Sequence, residues 1–358
     1  MRLKRIMTGC APLSGERGFT LIELMIAIGL SLMILAGLLT VFVSNSNTRK
    51  EIERTTRQIE NGRYGTDLLS NNLAHAAFFA EFDPRIVSAP GTLPEACSTA
   101  DLDAGLALPI QGYRNAKSNT VGLDCLADLK EDTDVVVVRR VSTCVAQSPP
   151  ATSCDELAKD KFYYFQTSLC TPPEGGAELA NSDYKEWYRL SSDTSKLDRH
   201  VRTCMDTGCV CTSRALADIR RYHVHIYFVA KNSVGTDGVP TLKRAELTGS
   251  GFTIVPLVEG IENLKLEYGI DSNGDGMPES YTTTPATVDD WRNVTSAKVY
   301  LLARSTERSV GYTDTKTYTL DSATTIDPAS DSNYDQRYRR QVFSTTVKLA
   351  NIAGRRGI

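Results

Sequence analysis

From Phe19 to Val43 the chain runs for 25 residues with one charge, Glu23. A segment of that length and composition spans the hydrocarbon core of a bilayer as a slightly tilted helix, so whatever else the chain builds must fold outside that span. The lone acid is the anomaly. On insertion scales a carboxylate at the centre of a membrane helix costs about 2.5 to 3.5 kcal/mol, which makes Glu23 a candidate functional residue that needs a partner. Arg2, Lys4, Arg5 and Arg17 precede the apolar run. Basic residues beside a membrane segment stay on the cytoplasmic side, which predicts that the bulk of the chain lies on the other side.

Residues 18 to 23 read Gly-Phe-Thr-Leu-Ile-Glu. An ordinary secretory signal is cut after its apolar stretch, behind small residues. Here the Gly18-Phe19 junction stands before it. The stretch closely resembles the prepilin signature of type IV pilins and pseudopilins. That resemblance implies cleavage after Gly18 by a membrane prepilin peptidase and N-methylation of the new terminus at Phe19. It also implies that Glu23 pairs with the N-terminal amine of a neighbouring subunit in an assembled fibre. A buried charge is tolerable when paired, and that pairing exists only with the neighbour in register, so Glu23 would select for ordered assembly. The plainer alternative is a single-pass anchor whose Glu23 snorkels or is protonated.

Without residues 1–18 the chain keeps 36 basic and 42 acidic residues, a net charge of −6 before termini. That balance does not suit a DNA-coating surface, and no nucleic-acid partner is predicted. Of the nine cysteines, Cys10 lies in the leader. The others are Cys97, Cys125, Cys144, Cys154, Cys170, Cys204, Cys209 and Cys211, an even number in a head facing an oxidising compartment, and disulfides are expected. Sequence alone does not choose the pairing. The nearest local bridge is Cys144 to Cys154, across a turn-rich Ser-Pro-Pro-Ala-Thr-Ser. Zinc on Cys204, Cys209 and Cys211 is the alternative, although their spacing is not that of a usual zinc finger or ribbon.

The helix is predicted to continue to residue 77, with 19–43 in the membrane and a total length of roughly 90 Å at 1.5 Å per residue. Ile52, Ile59, Leu69, Leu73 and Ala76 fall on one side, which should dock on a sheet. Arg49, Glu53 and Arg57 form a solvated stripe opposite. Gly62 and Gly65 are expected to permit curvature. Residues 78–212 are interrupted by proline and rich in cysteine, with strands at 134–141 and 161–169. The β-branched run Val135–Val138 reads as a buried central strand. Residues 213–358 are β-rich, with antiparallel strands at 220–230, 241–247, 264–270, 295–305, 316–320 and 341–352. The pattern predicts an α+β fold, and the prepilin resemblance implies the type IV pilin fold: a long N-terminal helix and a mostly antiparallel sheet head with disulfide-stabilised loops.

His223 and His225 share one strand face and, with an acid such as Asp218, invite a zinc-hydrolase reading. A third ligand at suitable spacing is missing nearby, so they are expected to line the sheet. There is no nucleophile elbow, no His-Glu-x-x-His motif and no phosphate loop, and an enzyme is not predicted. Asp271-Ser-Asn-Gly-Asp-Gly-Met-Pro-Glu279 matches the first half of an EF-hand loop. Side-chain oxygens of Asp271, Asn273, Asp275 and Glu279 and the carbonyl of Met277 would surround one Ca²⁺, with Gly276 making the sharp turn. The twelfth position is Thr282 and not a glutamate, which predicts weaker affinity than an intracellular sensor's. The alternative is an Asx-rich hairpin turn without an ion.

Three more stretches extend the resemblance to the minor pilins of type IV pili: Glu-Asn-Gly-Arg-Tyr at 60–64, Glu-Asn-Leu-Lys-Leu-Glu-Tyr-Gly at 262–269, and Leu-Leu-Ala-Arg-Ser at 301–305. What it implies is a low-abundance subunit that primes assembly with other minor pilins and the major pilin near the fibre tip, beside a large tip adhesin. The chain would sit in the inner membrane with its head in the periplasm, and on the cell surface once assembled. A pseudopilin of a type II secretion system shares these features, and neighbouring genes would discriminate the two.

Overall fold

The computed structural model describes residues 18–148, 154–169, 178–180, 183–201 and 215–356. Helix α1 spans Leu21–Ala74, 54 residues. The chain divides within it, residues up to Glu53 forming one unit and those from Arg54 onward another. In the first unit residues 21–43 carry Glu23 as their one charge and are exposed along their whole length, and α1 is long and apolar enough to cross a membrane. A helix that is apolar all round is suited to lipid, where all its backbone bonds are made within the segment.

The second unit, the head, contains β1 (Ile110–Ala116), β2 (Thr133–Val141), β3 (Tyr164–Thr167), β4 (Tyr188–Ser191), β5 (Ile219–Ala230), β6 (Thr241–Thr248), β7 (Gly251–Glu259), β8 (Ile261–Ile270) and β9 (Ser280–Thr282). Helix α2 (Val288–Arg292) follows, then β10 (Val294–Arg304), β11 (Tyr318–Thr319), β12 (Thr325–Ile326), β13 (Arg340–Lys348) and α3 (Ala350–Ala353). Seven strands form one sheet around β5, which pairs with β2 over Tyr222–Tyr227, with β3 over Ile219–Arg221 and with β6 over His225–Ala230, all antiparallel. The proline-interrupted and β-rich stretches, distinct in composition, therefore share a sheet and are not separate domains. A second, four-stranded sheet has the order β13-β10-β8-β9. The core includes Val135–Val138 of β2, Ile226 and Phe228 of β5, Leu264 and Leu266 of β8, and Val299 and Leu301 of β10.

Several boundaries differ from those read in the sequence. The strand expected over 161–169 is limited to Tyr164–Thr167, that over 316–320 to Tyr318–Thr319, and that over 341–352 stops at Lys348, giving way to α3. β8 begins at Ile261, with the charged Glu262, Lys265 and Glu267 buried along it. These polar side chains are satisfied. Lys265 Nζ bonds Asp134 Oδ1 at 3.1 Å and the Asp132 carbonyl at 2.8 Å. Glu262 takes two bonds from Arg340, at 2.6 and 3.2 Å.

The face that α1 turns to the head also differs. Ile52 is exposed and Ile59 half-buried, while Gln58, Gly62, Gly65, Thr66, Leu69 and Leu73 are buried. A Cβ on Gly62 would stand 2.2 Å from the Phe343 ring and one on Gly65 3.1 Å from Leu301. These glycines let helix and sheet approach closely. Gln58 donates to the Ala303 carbonyl and Asn61 to that of Glu259, fixing the register of the helix on the sheet.

Candidate functional site

The N-terminal constellation stands at the start of α1. Phe19 is exposed. Thr20 N and Thr20 Oγ1 donate to Glu23 Oε2 at 3.0 and 2.7 Å, and Glu23 N donates back to Thr20 Oγ1 at 3.3 Å. This is a capping box, in which two backbone donors of the first turn are satisfied reciprocally. Glu23 thus has an intrachain partner that the sequence reading missed. Its signal in the sequence is Thr-x-x-Glu before an apolar run. The cap uses Oε2, and a carboxylate has acceptor capacity beyond it, so capping is compatible with pairing to an amine on another chain.

The acidic loop lies between β8 and β9. Asp271, Asp275 and Glu279 bring one oxygen each within 4.8 Å of one another. The turn is built by the backbone. Gly274 N and Gly276 N donate to the two oxygens of Asp271 at 2.6 and 2.9 Å, and both glycines have positive φ, +86° and +85°. That region favours glycine strongly. Asp275 N donates to Asn273 Oδ1 and Met277 N to Asp275 Oδ1, both at 2.8 Å, while Ser272 N donates to Glu279 Oε2 at 2.7 Å. Burial would raise the Asp271 pKa, but the two glycine amides and then Arg356 outweigh it and hold it below the ordinary value. The loop presents an all-oxygen donor set with acceptor capacity to spare, which suits a hard cation. One opposing feature was invisible in the sequence: Arg356 Nη1 lies 3.5 Å from Asp271 Oδ2.

His223 and His225 line the sheet. Their rings are 5.0 Å apart, and His225 Nδ1 is 3.3 Å from Asn72 Oδ1 of α1. Burial lowers both pKa values, His223 to about 3. Asp218 pairs with Arg220 at 3.2 Å, and no metal cluster containing these histidines is present among the described residues. Cys97 and Cys125 form a disulfide, as do Cys144 and Cys154. Cys170, Cys204, Cys209 and Cys211 lie outside the described residues, and the zinc alternative with them.

Residues 13–39 match the prokaryotic N-terminal methylation motif, and residues 226–351 match the model of the type IV pilus-assembly protein W family, PilW. Residues 226–351 thus carry a PilW-type stretch, on the same chain as an N-terminal methylation motif. The PilW match runs from within β5 into α3, so it takes in β8, the acidic loop and β10. No curated protein matches the chain. Among solved structures a type IV-like pilin from Thermus thermophilus is similar, with 14% identity over 41% of this chain and 72% of that one and a TM-score of 0.21.

Proposed function

We propose that this chain is a minor pilin, cut between Gly18 and Phe19 by a prepilin peptidase, methylated on Phe19 and held in the inner membrane by the 19–43 segment until it co-assembles with other pilins. Its role would be to prime type IV pilus assembly near the fibre tip. The observation that carries the reading is the junction Gly18-Phe19 with Glu23, inside the methylation-motif match, on the same chain as a PilW domain. Calcium on the acidic loop would be structural, fixing the connection between β8 and β9.

The capping box sharpens the test of Glu23. Glutamine at this position keeps the reciprocal cap but not the charge, whereas valine removes both. If Glu23 acts by pairing with a neighbour's amine, Glu23→Gln and Glu23→Val should both insert in the membrane and both reduce the number of pili. Normal piliation with Glu23→Gln and loss with Glu23→Val would reduce the acid to a helix cap.

A further inference from the structure

Where α1 gives way to Ala77, four arginines far apart in sequence meet around a cleft of about 350 Å³: Arg85, Arg292, Arg355 and Arg356. Three have carboxylate partners. Arg85 is bound to Asp83 through Nη2 at 2.8 Å, Arg356 lies 3.5 Å from Asp271, and Arg292 lies 3.9 Å from Asp289, whose side chain is 78% exposed. Arg355 differs. Its Nη1 donates to the Ala77 carbonyl at 3.2 Å, and among the described residues no carboxylate forms an ion pair with it. Burial lowers its pKa; Asp83 pulls the other way and the Arg85 charge adds to the lowering. Arg356 Nε is also buried without a partner. A half-buried guanidinium beside a second cation is costly in free energy, and an anion in the cleft would relieve that cost.

We propose that this cleft receives one carboxylate from an acidic segment of a partner subunit, held by Arg355 with Arg292 beside it. Of the four, Arg355 alone has no ion-pair carboxylate among the described residues, and one such guanidinium matches one carboxylate. Alanine, proline and isoleucine also line the cleft and suit the apolar stem of a side chain. The planar fork of arginine binds a carboxylate through two parallel hydrogen bonds, and Arg355 has the donors for it. That the partner is another pilus subunit rests on the function proposed above; the site itself does not.

The test uses the full chain in detergent, titrated calorimetrically with an acetylated, amidated tri-glutamate peptide, its tri-glutamine counterpart and inorganic phosphate. The glutamate peptide should bind saturably and the glutamine peptide should not. Arg355→Gln should weaken binding by about tenfold or more, the loss expected for a charge-assisted pair. Asp289→Asn removes a competing carboxylate from Arg292 and should tighten binding, which a merely structural role for the arginines would not produce. If Arg355→Gln fails to fold, Asp289→Asn decides: tighter binding supports the site, and unchanged or weaker binding overturns it. Absence of saturable peptide binding, or equal affinity in Arg355→Gln, also overturns it. Phosphate binding without peptide binding would replace subunit docking with a site for a free anion. None of these outcomes depends on Glu23, so the site can fail while the assembly reading stands.

Discussion

His223 and His225 are held neutral inside the head by burial, with neighbouring arginines pressing the same way. In the unfolded chain both titrate near pH 6.5. As pH falls below 6.5, the unfolded state takes up protons that the folded state refuses, so stability is lost on acidification. With the His223 pKa at about 3, His223 contributes a slope approaching 1.4 kcal/mol per pH unit between its unfolded value near 6.5 and that folded value, and His225 adds a slope of the same sign. Denaturant titration of the full chain in detergent between pH 6.5 and 5 should show the combined slope, and His223→Gln should remove about half of it. Parallel pH profiles for the two proteins would contradict the assignment. That the pair lines a sheet was legible from its i, i+2 spacing. The arginines that press on it were not, since Arg140 and Arg244 arrive through β2 and β6, whose pairing no local pattern announces.

At the scale of elements, local chemistry was legible and packing between elements was less so. The Val135–Val138 run was placed correctly because four consecutive β-branched residues suit a strand buried on both faces, and β2 is buried from Thr133 to Arg139. β7 escaped because Pro256 and an alternation broken by a register shift disguise it. On the docking face of the first helix Leu69 and Leu73, with Ala76 just beyond its end, were legible from their apolar spacing, while Gln58, Gly62, Gly65 and Thr66 were not, because their burial follows from close approach and polar bonding, not apolar size. Gly62→Ala should force the Phe343 ring to move and destabilise the head by about 1 to 3 kcal/mol, although alanine is the better helix former. Thermal melting with circular dichroism measures it, and a melting temperature equal to or above wild type would show that the contact yields freely. The acidic loop was legible in full as a turn, and its three carboxylates converge. If it holds Ca²⁺, calorimetric titration should detect one site, and Ca²⁺ at ~100 times Kd should add about 2.7 kcal/mol of stability. Asp275→Ala should lose both. No binding up to millimolar Ca²⁺, with melting indifferent to chelator, would leave an ordinary turn.

For the whole molecule, the sequence reading succeeded where residues that act together are neighbours. Cys144 and Cys154, 10 apart, are bonded to each other. It could not assemble Cys97 with Cys125, or Arg85 with Arg355, because those meetings depend on how the sheets stack. The two described disulfides close loops of 28 and 10 residues, and in the chain-entropy account each is worth roughly 3 kcal/mol, so reduction should lower the melting temperature markedly. On the function proposed above, such a head behind an apolar helix serves assembly. The central claim is that the chain is processed at that junction and enters the pilus. Mass spectrometry of the protein recovered from sheared pili tests it most directly: the account predicts an N-terminal peptide beginning with N-methylated Phe19, and recovery from pili with residues 1–18 intact would contradict it.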